Sequence, residues 1–261
     1  MGGDSMSGMK LTVIGCAGSF PGPDSPSSCY LVEAPFEGRT YHLVLDLGNG
    51  ALGALQRHID LRDLDAVAIS HLHADHCFDL AGYYVVSRYH PDGALDRLPL
   101  FAPAGAARFL AVAYGPEPDP GILDHFACHD WQDGETVELG PFRVTVTRTD
   151  HPVEAYAMRV ETDDHVLVYS GDSGPSEKLD ALASGADLYL CEASFVESNV
   201  NPPHLHLTGA QAGASASAAG VGQLLLTHIP AWTDRAEVEA DAKTTWDGPL
   251  DLVTSDATYE L

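Results

Sequence analysis

Short runs of apolar residues recur along the chain and indicate both strands and helices. Runs of four to eight residues that end at turn residues are typical of buried strands. They predict strands at residues 11–16, 29–33, 41–46, 66–70, 98–102, 142–149, 155–161, 166–170, 188–191 and 224–227. Segments with helical spacing predict helices at residues 51–58, 78–90, 105–113, 176–183, 208–219 and 234–242. The mixture predicts an α/β protein.

The order of these elements favours two mixed sheets over one parallel sheet. Residues 155–170 read as a hairpin that turns at residues 162–164, and such hairpins interrupt the strand–helix alternation of a doubly wound fold. Two mixed sheets packed together and covered by helices fit better. Thr208 and Gln211 have the spacing of a capping box, so the small-residue helix is predicted to start just after Thr208.

The length of 261 residues supports one main core. We predict a flexible N-terminus at residues 1–10 and a single domain at residues 11–261. No apolar run approaches the roughly 18–20 residues of a membrane span, so a cytoplasmic location without membrane contact is expected. The five cysteines lack CxxC spacing, which favours reduced thiols over disulfides or a zinc ribbon.

The chain is strongly acidic, with 13 basic and 38 acidic residues and a net charge of −25. A field of this sign repels polyanions, and no basic stripe is visible. The charge therefore argues against a long nucleic-acid partner and leaves a small substrate open. An acidic surface also has a plain interpretation as a well-solvated one.

The most specific local signal is the segment His71-Leu-His73-Ala-Asp75-His76, which follows a predicted strand and precedes a predicted helix. By composition, a chance match is expected on the order of 0.003 times per chain. His71 and His73 share one side of an extended segment, and the turn brings Asp75 and His76 toward a neighbouring point. Two pairs of ligands imply two metal ions.

Two catalytic metal ions need more ligands than this segment supplies. Three further positions just past predicted strands are the best candidates: His151, Asp172 and His228.

Two residues near these candidate ligands, Asp46 and Cys77, have competing interpretations. Asp46 is either a plain turn residue or a carboxylate that orients a ligand histidine, and the second is favoured. Cys77 follows a candidate ligand, but a buried helix residue is the simpler interpretation.

Together these motifs resemble the metallo-β-lactamase superfamily of binuclear zinc hydrolases. The resemblance covers essentially residues 11–261 and implies an αβ/βα four-layer sandwich. It also implies two Zn²⁺ ions per chain, with Mn²⁺ as an alternative, and a buttressing role for Asp46. By position, one ion would be held by His71, His73 and His151, the other by Asp75, His76 and His228, and Asp172 would bridge them.

Within the superfamily, Cys191-Glu-Ala-Ser-Phe195 and the segment from His206 to Thr208 are similar to motifs of the ribonuclease Z group. The long arm with which that group grips transfer RNA has no counterpart between His151 and Asp172. The segments Gly22-Pro-Asp-Ser-Pro26 and Leu224-Leu-Leu-Thr-His-Ile-Pro230 also resemble those of short bacterial enzymes, the atypical class II cyclic-nucleotide phosphodiesterases. The resemblance therefore implies hydrolysis of a small phosphodiester, a 3′,5′-cyclic nucleotide, by a hydroxide bridging the two metals.

The same resemblance implies roles for individual residues. Catalytic roles would fall to Asp75, Asp172 and His206, and substrate contacts to Ser28, Glu192 and Thr208. Glu192 has an equally weighted alternative as a loop-capping residue. Ribonuclease Z-like cleavage of RNA 3′ ends, lactamase or thioesterase activity, and a non-catalytic scaffold stabilised by metal remain alternatives, and a homodimer stays open.

Overall fold

The computed structural model describes residues 8–115 and 121–261. Within these ranges the chain forms two seven-stranded sheets with eight α-helices. The strands are β1 (Lys10–Gly15), β2 (Cys29–Phe36), β3 (Arg39–Leu45), β4 (Ala66–Ala68), β5 (Leu98–Ala102), β6 (Phe126–Asp130), β7 (Thr136–Leu139), β8 (Phe142–Arg148), β9 (Tyr156–Glu161), β10 (Val166–Tyr169), β11 (Leu188–Glu192), β12 (Gln223–Thr227), β13 (Leu250–Leu252) and β14 (Thr258–Glu260). The helices are α1 (Ala51–Leu55), α2 (Ala74–Cys77), α3 (Leu80–Tyr89), α4 (Ala106–Tyr114), α5 (Ile122–His125), α6 (Glu177–Ala183), α7 (Gly209–Ala219) and α8 (Arg235–Ala242).

Each sheet combines an antiparallel and a parallel half. The first has the order β14-β1-β2-β3-β4-β5-β6, antiparallel from β14 to β3 and parallel from β3 to β6. The second has the order β13-β12-β11-β10-β9-β8-β7, antiparallel from β7 to β10 and parallel from β10 to β13. The predicted pair of mixed sheets is confirmed.

The main core lies between the two sheets. Tyr30 and Leu43 of the first sheet share one buried apolar cluster with Met158 and Leu190 of the second. A second cluster joins the outer face of the first sheet to α1, α3 and α4, and a third joins the second sheet to α6, α7 and α8. Burial on both faces explains why the central strands read as continuous apolar runs. The result is the predicted four-layer αβ/βα sandwich.

The predicted strands all occur, and the strands that the sequence did not indicate are short. Strands β13 and β14 have three residues each, β7 has four and β6 has five. The helix predicted at 208–219 begins after a capping box in which Thr208 accepts from the Gln211 N–H. At the N-terminus, Met9 is buried and β1 already begins at Lys10, whereas residues 1–7 lie outside the described residues. Within the described ranges, no helix is long and apolar enough to cross a membrane.

Glycine at two positions allows loops to touch the candidate site. A Cβ atom at Gly48, just past β3, would lie 2.0 Å from the carbonyl oxygen of Asp75. A Cβ atom at Gly18 would lie 2.2 Å from the carbonyl oxygen of His228. Real Cβ atoms do not approach backbone this closely, so a larger residue would displace the backbone of either candidate ligand.

We expect Gly48→Ala to destabilise the fold by about 1–3 kcal/mol, because the added methyl group must push the backbone at Asp75 away. Gly53→Ala is the matched control, since a Cβ atom there meets nothing within 4 Å and lies inside α1. It should stabilise the fold by about 0.5–1 kcal/mol. Denaturant unfolding measures both changes, and a Gly48→Ala protein as stable as the wild type would contradict the close contact.

Candidate metal centre

The candidate site lies at one edge of the sandwich, beyond the carboxyl ends of several strands. Asp46 directly follows β3, and His71 comes three residues after β4. In the second sheet, Asp172 comes three residues after β10 and His228 directly follows β12. Because parallel strands end at the same edge of a sheet, this topology gathers residues that are up to about 180 positions apart in sequence.

Four of the predicted ligands form a first cluster: His71, His73, His151 and Asp172. The Nδ1 atom of His73 lies 2.9 Å from His71 Nε2 and 3.4 Å from His151 Nε2. The Oδ2 atom of Asp172 lies 3.6 Å from His71 Nε2. One nitrogen of each ring therefore faces a common point.

The other predicted ligands form a second cluster that shares Asp172 with the first: Asp75, His76, Asp172 and His228. The Nε2 atoms of His76 and His228 lie 3.1 Å apart. Asp172 Oδ1 is 3.2 Å from His76 Nε2, and Asp75 Oδ2 is 3.1 Å from His228 Nε2. Asp172 thus sends one oxygen toward each cluster.

Asp46 fixes the tautomer of two histidines through its buried carboxylate. Its Oδ2 atom accepts from His76 Nδ1 at 2.7 Å, from the Ser70 hydroxyl at 2.7 Å and from the Tyr169 hydroxyl at 2.7 Å. His76 Nδ1 therefore keeps its proton, and Nε2 is the nitrogen that faces the second cluster. Because Ser70 donates to Asp46, its oxygen accepts from His71 Nδ1 at 3.0 Å, which leaves Nε2 of His71 unprotonated.

Two of the other three histidines, His151 and His228, are oriented in the same way by other groups. His151 Nδ1 donates to the carbonyl oxygen of Leu205 at 3.0 Å, so its lone pair is on Nε2. The Ser194 hydroxyl donates to the carbonyl oxygen of His228 at 2.7 Å and accepts from His228 Nδ1 at 2.8 Å. A long hydrogen bond of 3.3 Å from the Ser19 N–H to His228 Nε2 agrees with this assignment.

Converging lone pairs and a buried carboxylate fit a metal centre. Asp172 Oδ1 is buried, and no hydrogen bond reaches it from the described residues. Burial lowers the pKa of His76, but the charges of Asp172 and Asp46 outweigh this and raise it well above its ordinary value. Burial lowers the pKa of His71 well below its ordinary value, which keeps that ring neutral, the form that binds metal. The residues are compatible with a metal site.

His206 borders both clusters without joining either set of predicted ligands. Its Nδ1 atom lies 2.9 Å from Glu192 Oε1 and 3.8 Å from Asp172 Oδ2. Burial lowers its pKa, but the Glu192 carboxylate more than compensates and raises the pKa to about 9. His206 is therefore positively charged near neutral pH, and Nε2 is its remaining donor.

The three expected substrate contacts are buried in this structure. Glu192 is fully buried, and its carboxylate accepts from the Ser173 N–H, the Ser194 N–H and His206. Thr208 is 3% exposed, and its hydroxyl caps α7 and donates to Glu197. Ser28 is also fully buried. Their positions suit support of the site better than direct substrate contact.

Sequence reasoning missed the supporting partners Ser70, Tyr169 and Ser194. Ser70 directly precedes His71, so its position beside the motif was a usable signal. The pairing of Tyr169 with Asp46 joins the two sheets and has no local signal. Cys77 donates from Sγ to the His73 carbonyl oxygen, and burial raises its pKa to about 12, so it behaves as a buried thiol.

We expect Asp46→Asn to weaken metal binding by about 10- to 100-fold, because an amide can present a donor to His76 Nδ1 and disturb its tautomer. Competition with a chromogenic chelator measures the affinity. Asp187→Asn is the matched control, since the Asp187 carboxylate accepts from the Val166 N–H in the second sheet, at the end of β10 away from the candidate site. Unchanged affinity in Asp46→Asn would contradict the assigned role of the carboxylate.

Comparison with known proteins gives a consistent result. The family model described as the beta-lactamase superfamily domain matches residues 42–229. An uncharacterized protein of Mycobacterium tuberculosis is 46% identical over 97% of this chain and 92% of its own length. The probable metallo-hydrolase YhfI of Bacillus subtilis is 31% identical over 97% of this chain and 100% of its own.

Solved structures agree with the sequence matches. The crystal structure of YhfI matches with a TM-score of 0.85 and 29% identity, covering 97% of this chain and 99% of that one. Yeast PDE1 matches with a TM-score of 0.74 and 11% identity over 98% and 100% of the two chains, which shows the fold alone. The chain belongs to the beta-lactamase superfamily, in the metallo-β-lactamase-fold group that includes metallo-hydrolases and ribonuclease Z.

Proposed function

We propose that this chain is a binuclear zinc phosphodiesterase that hydrolyses small phosphodiesters, with 3′,5′-cyclic AMP as the main substrate and cyclic GMP as a second. The observation that carries the proposal is the pair of ligand clusters that share Asp172 beside a positively charged His206. Such a pair of sites suits a phosphate, whose two non-bridging oxygens can each face one cluster.

The donor set indicates which residues would hold each ion. Histidine nitrogens with carboxylate oxygens are typical of catalytic zinc, and they also accept manganese. His71, His73 and His151 would hold one ion and Asp75, His76 and His228 the other, with Asp172 between them. When bound, two such ions lower the pKa of water and neutralise charge on the phosphate.

His206 is the residue best placed to assist the leaving group. Its Nδ1 proton is held by Glu192, and the raised pKa keeps a second proton on Nε2 near neutral pH. That proton can pass to the departing ester oxygen, which would otherwise leave as an unstable alkoxide. Glu192 then acts as a positioning residue that keeps His206 oriented and charged.

Two features favour a small substrate over RNA. The net charge of −25 opposes the approach of a polyanion. The chain between His151 and Asp172 is occupied by the hairpin of β9 and β10, which leaves no room for an RNA-binding arm there.

Ribonuclease Z-like processing of RNA 3′ ends is the second candidate. A ribonuclease Z of Mycobacterium bovis is 28% identical over 85% of this chain and 87% of its own length. The contact of His206 with Glu192 is compatible with either phosphodiesterase activity. A non-catalytic scaffold has less support, because it has no use for a charged histidine buried beside the clusters.

We expect His206→Ala to keep its metal content and to lose about 10²-fold or more of its turnover of cyclic AMP, because proton transfer to the leaving oxygen is removed. The loss should be smaller for bis-p-nitrophenyl phosphate, whose leaving group needs little protonation. His204→Ala is the control, since His204 lies two residues away, is exposed and pairs with Asp150. Equal losses on both substrates would contradict the acid role.

The substrate is tested with protein loaded with zinc or manganese, after metal analysis. We expect two metal ions per chain and hydrolysis of cyclic AMP that changes only weakly with ionic strength, since few phosphate contacts are screened. Precursor transfer RNA and nitrocefin should be poor substrates. A kcat/KM for precursor transfer RNA well above that for cyclic AMP would favour the ribonuclease candidate over this proposal. A fully active protein that holds a single metal ion would exclude the binuclear model.

A further inference from the structure

A cavity of about 590 Å³ adjoins the metal centre and has no part in the chemistry proposed above. Its inner wall is formed by Ser194 and Phe195. Ser194 Oγ lies 2.8 Å from His228 Nδ1, and the ring of Phe195 lies 5.1 Å from the ring of His206. Its outer wall includes Trp232. Ligand pockets commonly measure about 300–1,000 Å³, so the cavity can hold a group as large as a nucleoside.

The outer wall carries one exposed aromatic ring, Trp232, which packs against the half-buried ring of Phe20 outside the lining of the cavity. Trp232 is 75% exposed, and its ring centroid lies 4.5 Å from that of Phe20, with an interplanar angle of 40°. Both rings are tied to the metal centre, because Trp232 follows His228 by four positions and the Ser19 N–H donates to His228 Nε2. A large aromatic ring exposed beside a site is suited to stacking on a planar ligand.

The rim of the cavity is acidic, and this charge favours the base of a nucleotide over its phosphate. Asp234 Oδ1 accepts from the Ala236 N–H, and Glu237 Oε1 accepts from the Ser198 hydroxyl. Among the described residues, the second oxygen of each carboxylate has no donor. Carboxylates repel a phosphate and accept from the N–H groups of a base. The cavity therefore suits the base, while the phosphate belongs at the ligand clusters.

We infer that this cavity is a nucleobase subsite, in which Trp232, supported by Phe20, stacks on the base and Asp234 and Glu237 accept from its N–H groups. The inference rests on the proposed function for the identity of the whole substrate. The stacking itself requires no catalysis, so it can be measured independently of turnover.

The kinetic test compares two substrates that contain the same cyclic phosphodiester and differ in whether they carry a base. Cyclic AMP carries the base, and 1-deoxyribose 3′,5′-cyclic phosphate lacks it. Trp232→Ala should lower kcat/KM for cyclic AMP about fivefold or more, mainly through KM, because stacking beneath a base is lost. The value for the abasic compound should not change. Trp232→Phe should retain most of the wild-type preference, and Phe20→Ala should lose part of it.

The control is Tyr89→Ala, which removes a similarly exposed aromatic ring from α3, outside the cavity. It should leave the ratio of the two kcat/KM values unchanged. The same ratio in Trp232→Ala as in the wild type would overturn the subsite while leaving the proposed function intact.

A binding measurement tests the nucleobase subsite separately from the proposed function if no hydrolysis of cyclic AMP is detected. Equilibrium dialysis with labelled adenosine, which has no phosphate, reports on the subsite alone. Binding to the wild type that is weakened about fivefold or more in Trp232→Ala supports the subsite even if no cyclic nucleotide is hydrolysed, and only the proposed function then fails. Absence of adenosine binding, or equal binding to both proteins, overturns the subsite.

Discussion

The buried carboxylate of Asp46 is the interaction on which the rest of the site depends. It lies directly after β3 with a left-handed φ of 58° and is fully buried. Its oxygens hold the Ser70 N–H and hydroxyl, His76 and, from the other sheet, Tyr169. One group therefore fixes the histidine motif, sets two tautomers and joins the two halves of the sandwich. A strained backbone angle is tolerated there because several hydrogen bonds require it.

The carboxylates of the centre lie beside histidines that offset their charge. Each of the acids Asp46, Asp75 and Asp172 contacts at least one histidine, and the charges of nearby histidines lower the pKa of Asp172 well below its ordinary value although burial alone would raise it. A buried carboxylate without hydrogen bonds is costly unless a cation compensates it. The same distribution that raises the pKa of His76 also favours a divalent ion, so proton binding and metal binding compete at this point.

Much of the fold was predictable because its signals are local. Buried central strands such as β11 and β12 read as apolar runs, and the capping box at Thr208 marked a helix start. The histidine motif likewise combines four metal-binding side chains in six residues. Short edge strands such as β14 carry too few residues for a pattern. The partners Tyr169 and the Leu205 carbonyl oxygen were not predictable, because their roles arise from contacts between distant segments.

The metal ligands and the residues that line the cavity belong to different parts of the fold. This explains why the ligands are easier to predict from sequence than the substrate. His71, Asp172 and His228 stand at or near strand ends, where backbone pairing fixes them, and Asp75 and His76 are held in the short helix α2. The cavity beside them is formed by loops, including the segments that carry Phe195 and Trp232. Such loops can change without disturbing the sheets, so relatives with one fold can act on different esters. The substrate of this chain must therefore be argued from its own aromatic and acidic residues beside the site, because the ligand set alone does not distinguish one substrate from another.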